Sequence, residues 1–309
     1  MGFFLLMVFA ISSLDLNFNN ACDELPCELL DVIRDTIYET SVVCPEFVIG
    51  NHFTDNSKMN LADFGFFFIF REGKTLQSDI ENYMSNFKTE IEPFSRQYMS
   101  YIRNFIEVEY FKSINRNFLR NIDYSIQNPS FNSYKGFFLY GCDGSDEKLP
   151  DFPEIREEFN IKNTLKYTKP CMGKLSSIQD VLNGIILDGI LGDYKEGELP
   201  LMHQNLSNIE NMIIPERSIF IFDRNYNAME LFARIIENNS YFLVRLKDNV
   251  YKKERSKINS NDSPIKLELT SDKLKKFHNK ELKEKYSQMW TIDLRIVTIT
   301  LKNPFLHLL

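Results

Sequence analysis

The sequence predicts a mixed α/β fold in which an all-helical N-terminal region precedes a sheet-containing core. Three observations carry this expectation. From about residue 28 to 128 apolar residues recur at three- and four-residue spacing, from Gly136 onward short apolar runs alternate with helical stretches, and two of those runs lead into an aspartate. With 309 residues, 43% of them hydrophobic and 14% aromatic, the chain has apolar material for one large domain or two modest ones. Its 12 Gly and 11 Pro are too few for a collagenous or disordered chain.

Ahead of the helices, in an N-terminal extension of residues 1–50, Gly2 to Ile11 form an apolar run followed by Ser12 and Ser13. No Lys or Arg precedes the run, no A-x-A site follows it, and it falls short of the roughly 20 residues a membrane span needs. A buried helix or strand is therefore expected, with no membrane association; a secreted protein cleaved near Ala21 is the competing reading. Cys22, Cys27, Cys44, Cys142 and Cys171 are irregularly spaced in a chain long enough to do without disulfide staples, and read as reduced thiols of a cytoplasmic protein. Cys22 and Cys27 could supply half of a zinc site, but no second pair follows and His52, His203, His278 and His307 are scattered, so zinc is not expected.

The helical spacing is clearest in Leu29 to Thr40, Thr75 to Phe87 and Phe94 to Phe118. Pro129, Ser130, Asn132 and Ser133 break it, which separates a helical region, residues 51–130, from residues 131–309. Phe137 to Tyr140 then read as a strand ending at Cys142-Asp143-Gly144-Ser145, with a tight turn expected at Gly144. Ser177 to Leu182 and Ile185 to Leu191 flank Asn183-Gly184, the dipeptide favoured in two-residue type I′ hairpins. A helix over Leu199 to Ile209 follows, then an apolar strand, Ser218 to Phe222, ending at Asp223. Met229, Phe232, Ala233 and Ile236 mark a helix face, Asn238 and Asn239 its C-cap, and Tyr241 to Leu246 a further strand. Ile265 to Leu269 and Trp290 to Leu301 alternate as strands around a lysine-rich segment, a β-rich insertion starting at about residue 248. The succession strand, hairpin, helix, strand, helix, strand is that of a ribonuclease H-like mixed sheet.

In such a fold the first and fourth strands lie side by side, so Asp143 and Asp223 would project into one site. Two close carboxylates repel unless a cation joins them. Hard oxygen ligands suit Mg²⁺ or Mn²⁺, and two such ions about 4 Å apart activate water and stabilise the leaving oxygen in phosphodiester displacement. Aspartates at strand ends are also common in proteins that bind no metal, so the spacing alone leaves a structural role open. The net charge of -7 opposes polyanion binding at long range. Between Arg245 and Lys285, however, 13 Lys and Arg face 7 Asp and Glu, which makes either a DNA-facing surface or a solvated lysine-rich helix such as Lys273 to Lys285.

Tyr134-Lys135-Gly136-Phe137-Phe138-Leu139-Tyr140-Gly141-Cys142-Asp143-Gly144-Ser145, followed by Leu149-Pro150-Asp151, resembles the first-aspartate block of the DDE transposases of insertion sequences in the IS-four-like group. That block is a hydrophobic strand running into Asp-Gly-Ser and then Leu-Pro. Ile219 to Asn249 resembles the second block, an apolar strand, Asp-Arg-Gly-Tyr, a helix and a strand with Arg-Leu-Lys; here it reads Asp223-Arg224-Asn225-Tyr226 and Val244-Arg245-Leu246-Lys247. Between the blocks, Asn183 to Gly189 and Glu198 fall where the family has its hairpin and an acid. Phe53 to Phe87 and Pro93 to Phe118 are similar to its helical DNA-end-binding region, so the resemblance covers roughly residues 50–303.

The resemblance implies that Asp143 and Asp223 are two metal-binding, catalytic members of an Asp-Asp-Glu triad that hydrolyses transposon ends and joins their 3′-hydroxyls to target DNA. It implies Mg²⁺ or Mn²⁺ as cofactor, double-stranded DNA as partner and a homodimer on that DNA. Arg224, Tyr226, Arg245 and Lys247 are implied to hold DNA or to order the site, with packing against the next helix as the alternative for Arg224 and Tyr226. Three departures stand against this pattern. Asn225 replaces the family's Gly, Phe53 to Lys58 has one basic residue where the family has several, and the family's Glu, in a Tyr-Arg-Glu-Lys type helix after the insertion, has no counterpart before Leu309; neither Glu281 nor Glu284 sits in that context. The ribonuclease H-like core is thus expected to be incomplete at its C-terminus and inactive as a transposase; a non-catalytic DNA-binding remnant or inhibitor is the alternative.

Overall fold

A computed structural model describes residues 27–43, 45–54, 57–71, 73, 75–87, 94–162 and 170–298. The apolar run Gly2 to Ile11, Cys22, Cys44 and the end of the last expected strand lie outside them. The chain divides into two compact units that meet in sequence at Ile214 and Pro215.

The first unit begins with helices α1 (Cys27–Val43), α2 (Leu61–Phe70), α3 (Leu76–Phe87), α4 (Arg96–Ile102) and α5 (Val108–Asn121). Helix α2 reads Leu-Ala-Asp-Phe-Gly-Phe-Phe-Phe-Ile-Phe, apolar nearly all round, and a helix of that kind needs core on every side. It has it: Ile37, Ile80, Tyr83, Met99, Tyr110 and Phe111 are buried in one cluster with its phenylalanines. Asn60 starts the helix by accepting the Asp63 amide at 2.8 Å. On the last turn, Arg71 Nε lies 3.0 Å from Asp79 Oδ2, whose side chain is fully shielded from water.

Gly65 of α2 lies against side chains of α1 and α5. A Cβ there would stand 2.5 Å from the Tyr110 hydroxyl and 3.1 Å from Ile37. That hydroxyl is itself pinned, donating to the Leu61 carbonyl at 3.0 Å and lying 2.7 Å from Ser41 Oγ. Gly65→Ala is therefore expected to destabilise the chain by about 1–3 kcal/mol, the usual cost of overpacking. A urea unfolding midpoint equal to that of the parent chain would show that Tyr110 yields freely.

Three antiparallel strands follow: β1 (Phe138–Lys148), β2 (Met172–Asp180) and β3 (Ile185–Asp193). Two turns differ from expectation. Gly144 makes no turn but pairs with Ser176 inside the β1–β2 ladder, which continues to Lys148 opposite Met172; cross-strand pairing carries the polar half of β1 past the point where its apolar run stops. The two-residue type I′ turn lies instead at Lys135-Gly136, with φ of 51° and 77°, closed by reciprocal hydrogen bonds between Tyr134 and Phe137. The β2–β3 turn takes four residues, Val181 to Gly184, of which Gly184 alone is left-handed at φ 68°. The Asp180 carboxylate organises it, accepting the Leu182 amide at 2.9 Å and the Asn183 amide at 3.2 Å.

Helices α6 (Pro153–Glu158) and α7 (Glu198–Ile209) complete this unit. Helix α7 packs on β2 and β3, where Asn205 donates to Ser176 Oγ at 2.8 Å. The helical region is tied to the same strands: Asn115 of α5 donates to the carbonyls of Ile186 and Leu187 at 3.4 Å each, and the Tyr124 hydroxyl donates to Asp180.

The second unit contains β4 (Ser218–Phe222), α8 (Met229–Glu237) and β5 (Tyr241–Val244), with β4 and β5 parallel from Ile219 opposite Tyr241 to Phe222 opposite Val244. Asn238 caps α8 and Asn239 takes the left-handed conformation after it at φ 53°, as its sequence led one to expect. The insertion comprises α9 (Lys252–Arg255), β6 (Asp262–Glu268), α10 (Ser271–Leu274), α11 (Lys280–Met289) and β7 (Thr291–Val297), β6 and β7 pairing antiparallel. Leu269, Leu274, Phe277, Tyr286 and Ile292 form its core together with Ala233 of α8. The remaining strands are mixed, three antiparallel strands of order β3-β2-β1 in the first unit and the parallel pair β4-β5 in the second, the strand types and succession of a ribonuclease H-like fold. No described helix is long and apolar enough to cross a membrane.

Candidate catalytic site

Along β1, Phe138, Tyr140 and Cys142 are buried while Asp143 is exposed. Gly144 pairs with Ser176, which bonds α7, so Gly144 faces α7 and the alternation of the strand turns Asp143 to the opposite face. Asp143 Oδ1 accepts the Gly144 amide at 2.8 Å, which fixes the carboxylate close to the backbone. The neighbouring Cys142 is apolar in character: burial, reinforced by the Asp143 charge, pushes its thiol well above the ordinary range, so it stays protonated and unreactive.

Asp223 stands in the second unit, at the carboxyl end of β4, before a turn of 3-10 helix at Arg224–Tyr226. Its side chain is exposed and makes no capping hydrogen bond, which leaves the carboxylate available to a ligand. The four basic and aromatic residues singled out with it fall into two groups. Tyr226 is fully buried, its ring 5.5 Å from that of Phe222. Arg224, Arg245 and Lys247 are exposed. The Arg245 amide donates to the Phe222 carbonyl at 3.3 Å, extending the β4–β5 pairing by one residue, and Lys247 Nζ donates to Asn225 Oδ1 at 3.1 Å.

Asp223, Arg224, Arg245 and Lys247 thus gather where the parallel strands end, the usual place for ligands in sheets of this kind. Asn225, in place of the family's Gly, is absent from the residues with positive φ, so the turn does not require glycine there.

The donor chemistry of Asp143 and Asp223 suits a hard divalent cation, since both are exposed carboxylates with oxygen left over. Asp180 is the useful contrast: it is fully buried and spends both oxygens on Tyr124, Leu182 and Asn183. Among the described residues, no group of three or more His, Cys, Asp or Glu is placed to hold a metal ion.

Two glutamates escaped the sequence reading. Glu230, near the start of α8, is buried and its Oε1 accepts the amides of His278 at 2.8 Å and Asn279 at 2.6 Å, where α11 begins. A carboxylate at a helix N-terminus satisfies unpaired amides and opposes the helix dipole. Two turns on, Glu237 accepts the Tyr286 hydroxyl at 3.0 Å and pairs with Lys285. The helix that follows Asp223 therefore clamps the insertion from one face. The available signal was the spacing of seven between two acids that flank the apolar stripe Met229, Phe232, Ala233 and Ile236. Glu230→Ala is expected to cost about 1–3 kcal/mol, the penalty for stranding buried amides. Hydrogen exchange checks it: α11 amides should lose protection while those of β4 and β5 keep theirs, and uniform protection across both would refute the clamp.

Residues 143–293 match the family model of the transposase DDE domain, a match that starts at Asp143 and runs through Asp223. The putative transposase InsZ of Escherichia coli (strain K12) is 26% identical over 122 residues, 38% of this chain and 39% of that protein, so the match spans well under half the length of this curated relative. A cryo-EM structure of a piggyBac transposase synaptic complex with hairpin DNA is 12% identical and covers 86% of this chain and 58% of that one, with a TM-score of 0.38, too slight a likeness to carry weight.

Proposed function

We propose that this chain is a DDE transposase and serves DNA transposition as a polynucleotidyl transferase that cuts and joins double-stranded DNA, transposon ends and target alike; the inactivity expected from the missing Glu is what the nicking assay below decides. The observation that carries the reading is the family match, which begins on Asp143 and includes Asp223. DDE transposases generally depend on a divalent metal; Asp143 and Asp223 would hold it here, and Mg²⁺ or Mn²⁺ is the choice their hard oxygens favour. When bound, such an ion supplies Lewis-acid activation of water and stabilisation of the leaving oxygen.

The chain's own groups have separable tasks. The exposed Arg224 and Arg245 meet phosphate oxygens beside Asp223, Arg with the planar fork that suits them. Lys247, through Asn225, and Tyr226, through its packing on Phe222, hold the turn that aims Asp223. A homodimer on DNA is part of this proposal, because two ends must be brought together. The cytoplasm is its proposed compartment, in keeping with buried, unpaired Cys142 and Cys171.

A second reading, a non-catalytic DNA binder that occupies transposon ends, draws on the basic excess between Arg245 and Lys285, which needs no metal. Nicking of supercoiled plasmid in Mg²⁺ or Mn²⁺ separates the two. Nicking by the parent chain that vanishes in Asp143→Ala supports the enzyme; binding without nicking, unchanged in that variant, supports the binder. Nicking that persists in Asp143→Ala rules out the proposed ligand.

A further inference from the structure

Beyond the residues already placed, the second unit holds a cleft of about 550 Å³ bordered by Asp248, Lys252, Arg255, Ser256, Asn259 and Thr298. Its lining is rich in hydrogen-bond donors: an ammonium, a guanidinium, hydroxyls and an amide. Lys252, Arg255, Ser256 and Asn259 are all exposed. Arg255 Nη1 donates to the Asp248 carbonyl at 3.0 Å, which holds the guanidinium at the rim and uses one of its five N–H donors. From Arg245 to Lys257 the sequence has 6 Lys and Arg against 2 Asp and Glu, a positive island in a chain of net charge -7. A solvated basic loop would account for the charge but not for its attachment. Lys247 bonds Asn225, and Tyr251, left-handed at φ 52° directly before α9, donates its hydroxyl to Asn227. Both ends of the 247–251 segment are thus fastened to the turn that follows Asp223.

We propose that this cleft seats a backbone phosphate of double-stranded DNA, one distinct from the phosphate attacked at the proposed catalytic site. Lys252 and Arg255 take the phosphate oxygens, and Ser256 and Asn259 donate at the edges. The fastening to the Asp223 turn gives the contact its purpose: it sets the distance along the duplex between the seated phosphate and the aspartate. The inference rests on the reading that the chain acts on DNA, but not on its metal chemistry.

The test uses the full chain and a fluorescein-labelled duplex of arbitrary sequence, titrated in EDTA at several KCl concentrations. Each phosphate contact removed lowers the slope of log K against log salt by about 1, so Lys252→Ala/Arg255→Ala should lower it by about 2. The charge-matched Lys280→Ala/Lys283→Ala pair, on exposed positions of α11, should lower it by less than half as much. Lys252→Gln/Arg255→Gln, with an unchanged melting curve, must repeat the first result. An unchanged slope, an equal fall for both pairs, or no duplex binding by the parent chain overturns the proposal, as does inorganic phosphate at constant ionic strength binding the cleft without competing with the duplex. Metal-dependent nicking is read separately from this metal-free titration, so a failure of the metal reading leaves this result standing and the reverse.

Discussion

Asp223→Asn is expected to reduce divalent-metal-dependent DNA cleavage by at least about 10²–10³-fold, the scale on which one electrostatic stabiliser of a transition state is felt. Asparagine keeps the shape of the side chain and gives up its charge. The fold should tolerate it, because Asp223 makes no side-chain capping bond and the contact it does make, its carbonyl with the Tyr226 amide at 3.1 Å, is main-chain. Asp143→Asn should behave alike: an Asn oxygen can still accept the Gly144 amide that Asp143 accepts at 2.8 Å. Cleavage rates on labelled duplex, read beside binding in EDTA, separate chemistry from affinity. Loss of cleavage with binding retained is the expected pair of results; cleavage within threefold of the parent in either variant removes that carboxylate from the reaction.

Arg71→Met is expected to give the largest loss of stability, about 3–5 kcal/mol, because it leaves the Asp79 charge buried without a partner. Asp79 is completely shielded, and Arg71 Nε lies 3.0 Å from its Oδ2 while the guanidinium sits 5.9 Å from the Phe68 ring centroid. Methionine fills much of the arginine stem, so the cost is electrostatic rather than a cavity. Adding Asp79→Asn to Arg71→Met should recover a good part of it, since a neutral amide is far cheaper to bury. Urea unfolding of the two single variants and the double variant closes the cycle. A loss below about 1 kcal/mol for Arg71→Met would place the pair among ordinary surface ion pairs.

Periodicity made the elements legible, and composition made their chemistry so. The apolar runs Phe137 to Tyr140, whose strand starts one residue later at Phe138, and Ser218–Phe222, the helix face at Met229 to Ile236 and the Asn238-Asn239 cap appear in the structure where the sequence put them. What failed was the reading of turns from single glycines. Gly144 lies in a strand because Ser176 pairs with it, while Lys135 takes a left-handed conformation that its residue type disfavours. Both outcomes are decided by partners distant in sequence, to which a local pattern is blind.

Contacts between segments distant in sequence also set the compact units. The hydrophobic period changes near residue 130, yet the helices before it share a unit with β1 to β3, because Asn115 and Tyr124 reach across to Ile186, Leu187 and Asp180. Within the candidate site, the aspartates and cations stood out as a motif. The burial of Tyr226 and the grip of Glu230 on α11 did not, since both depend on which surface a neighbouring element covers.

Asp143 and Asp223 are the proposed ligands of the divalent metal. Titration of Mn²⁺ into the full chain, followed by the loss of the free-ion electron paramagnetic resonance signal, tests this without requiring turnover. The account predicts saturable binding that disappears in Asp143→Ala and, equally, in Asp223→Ala, with melting curves unchanged. Binding that survives in both variants at the parent affinity would contradict it.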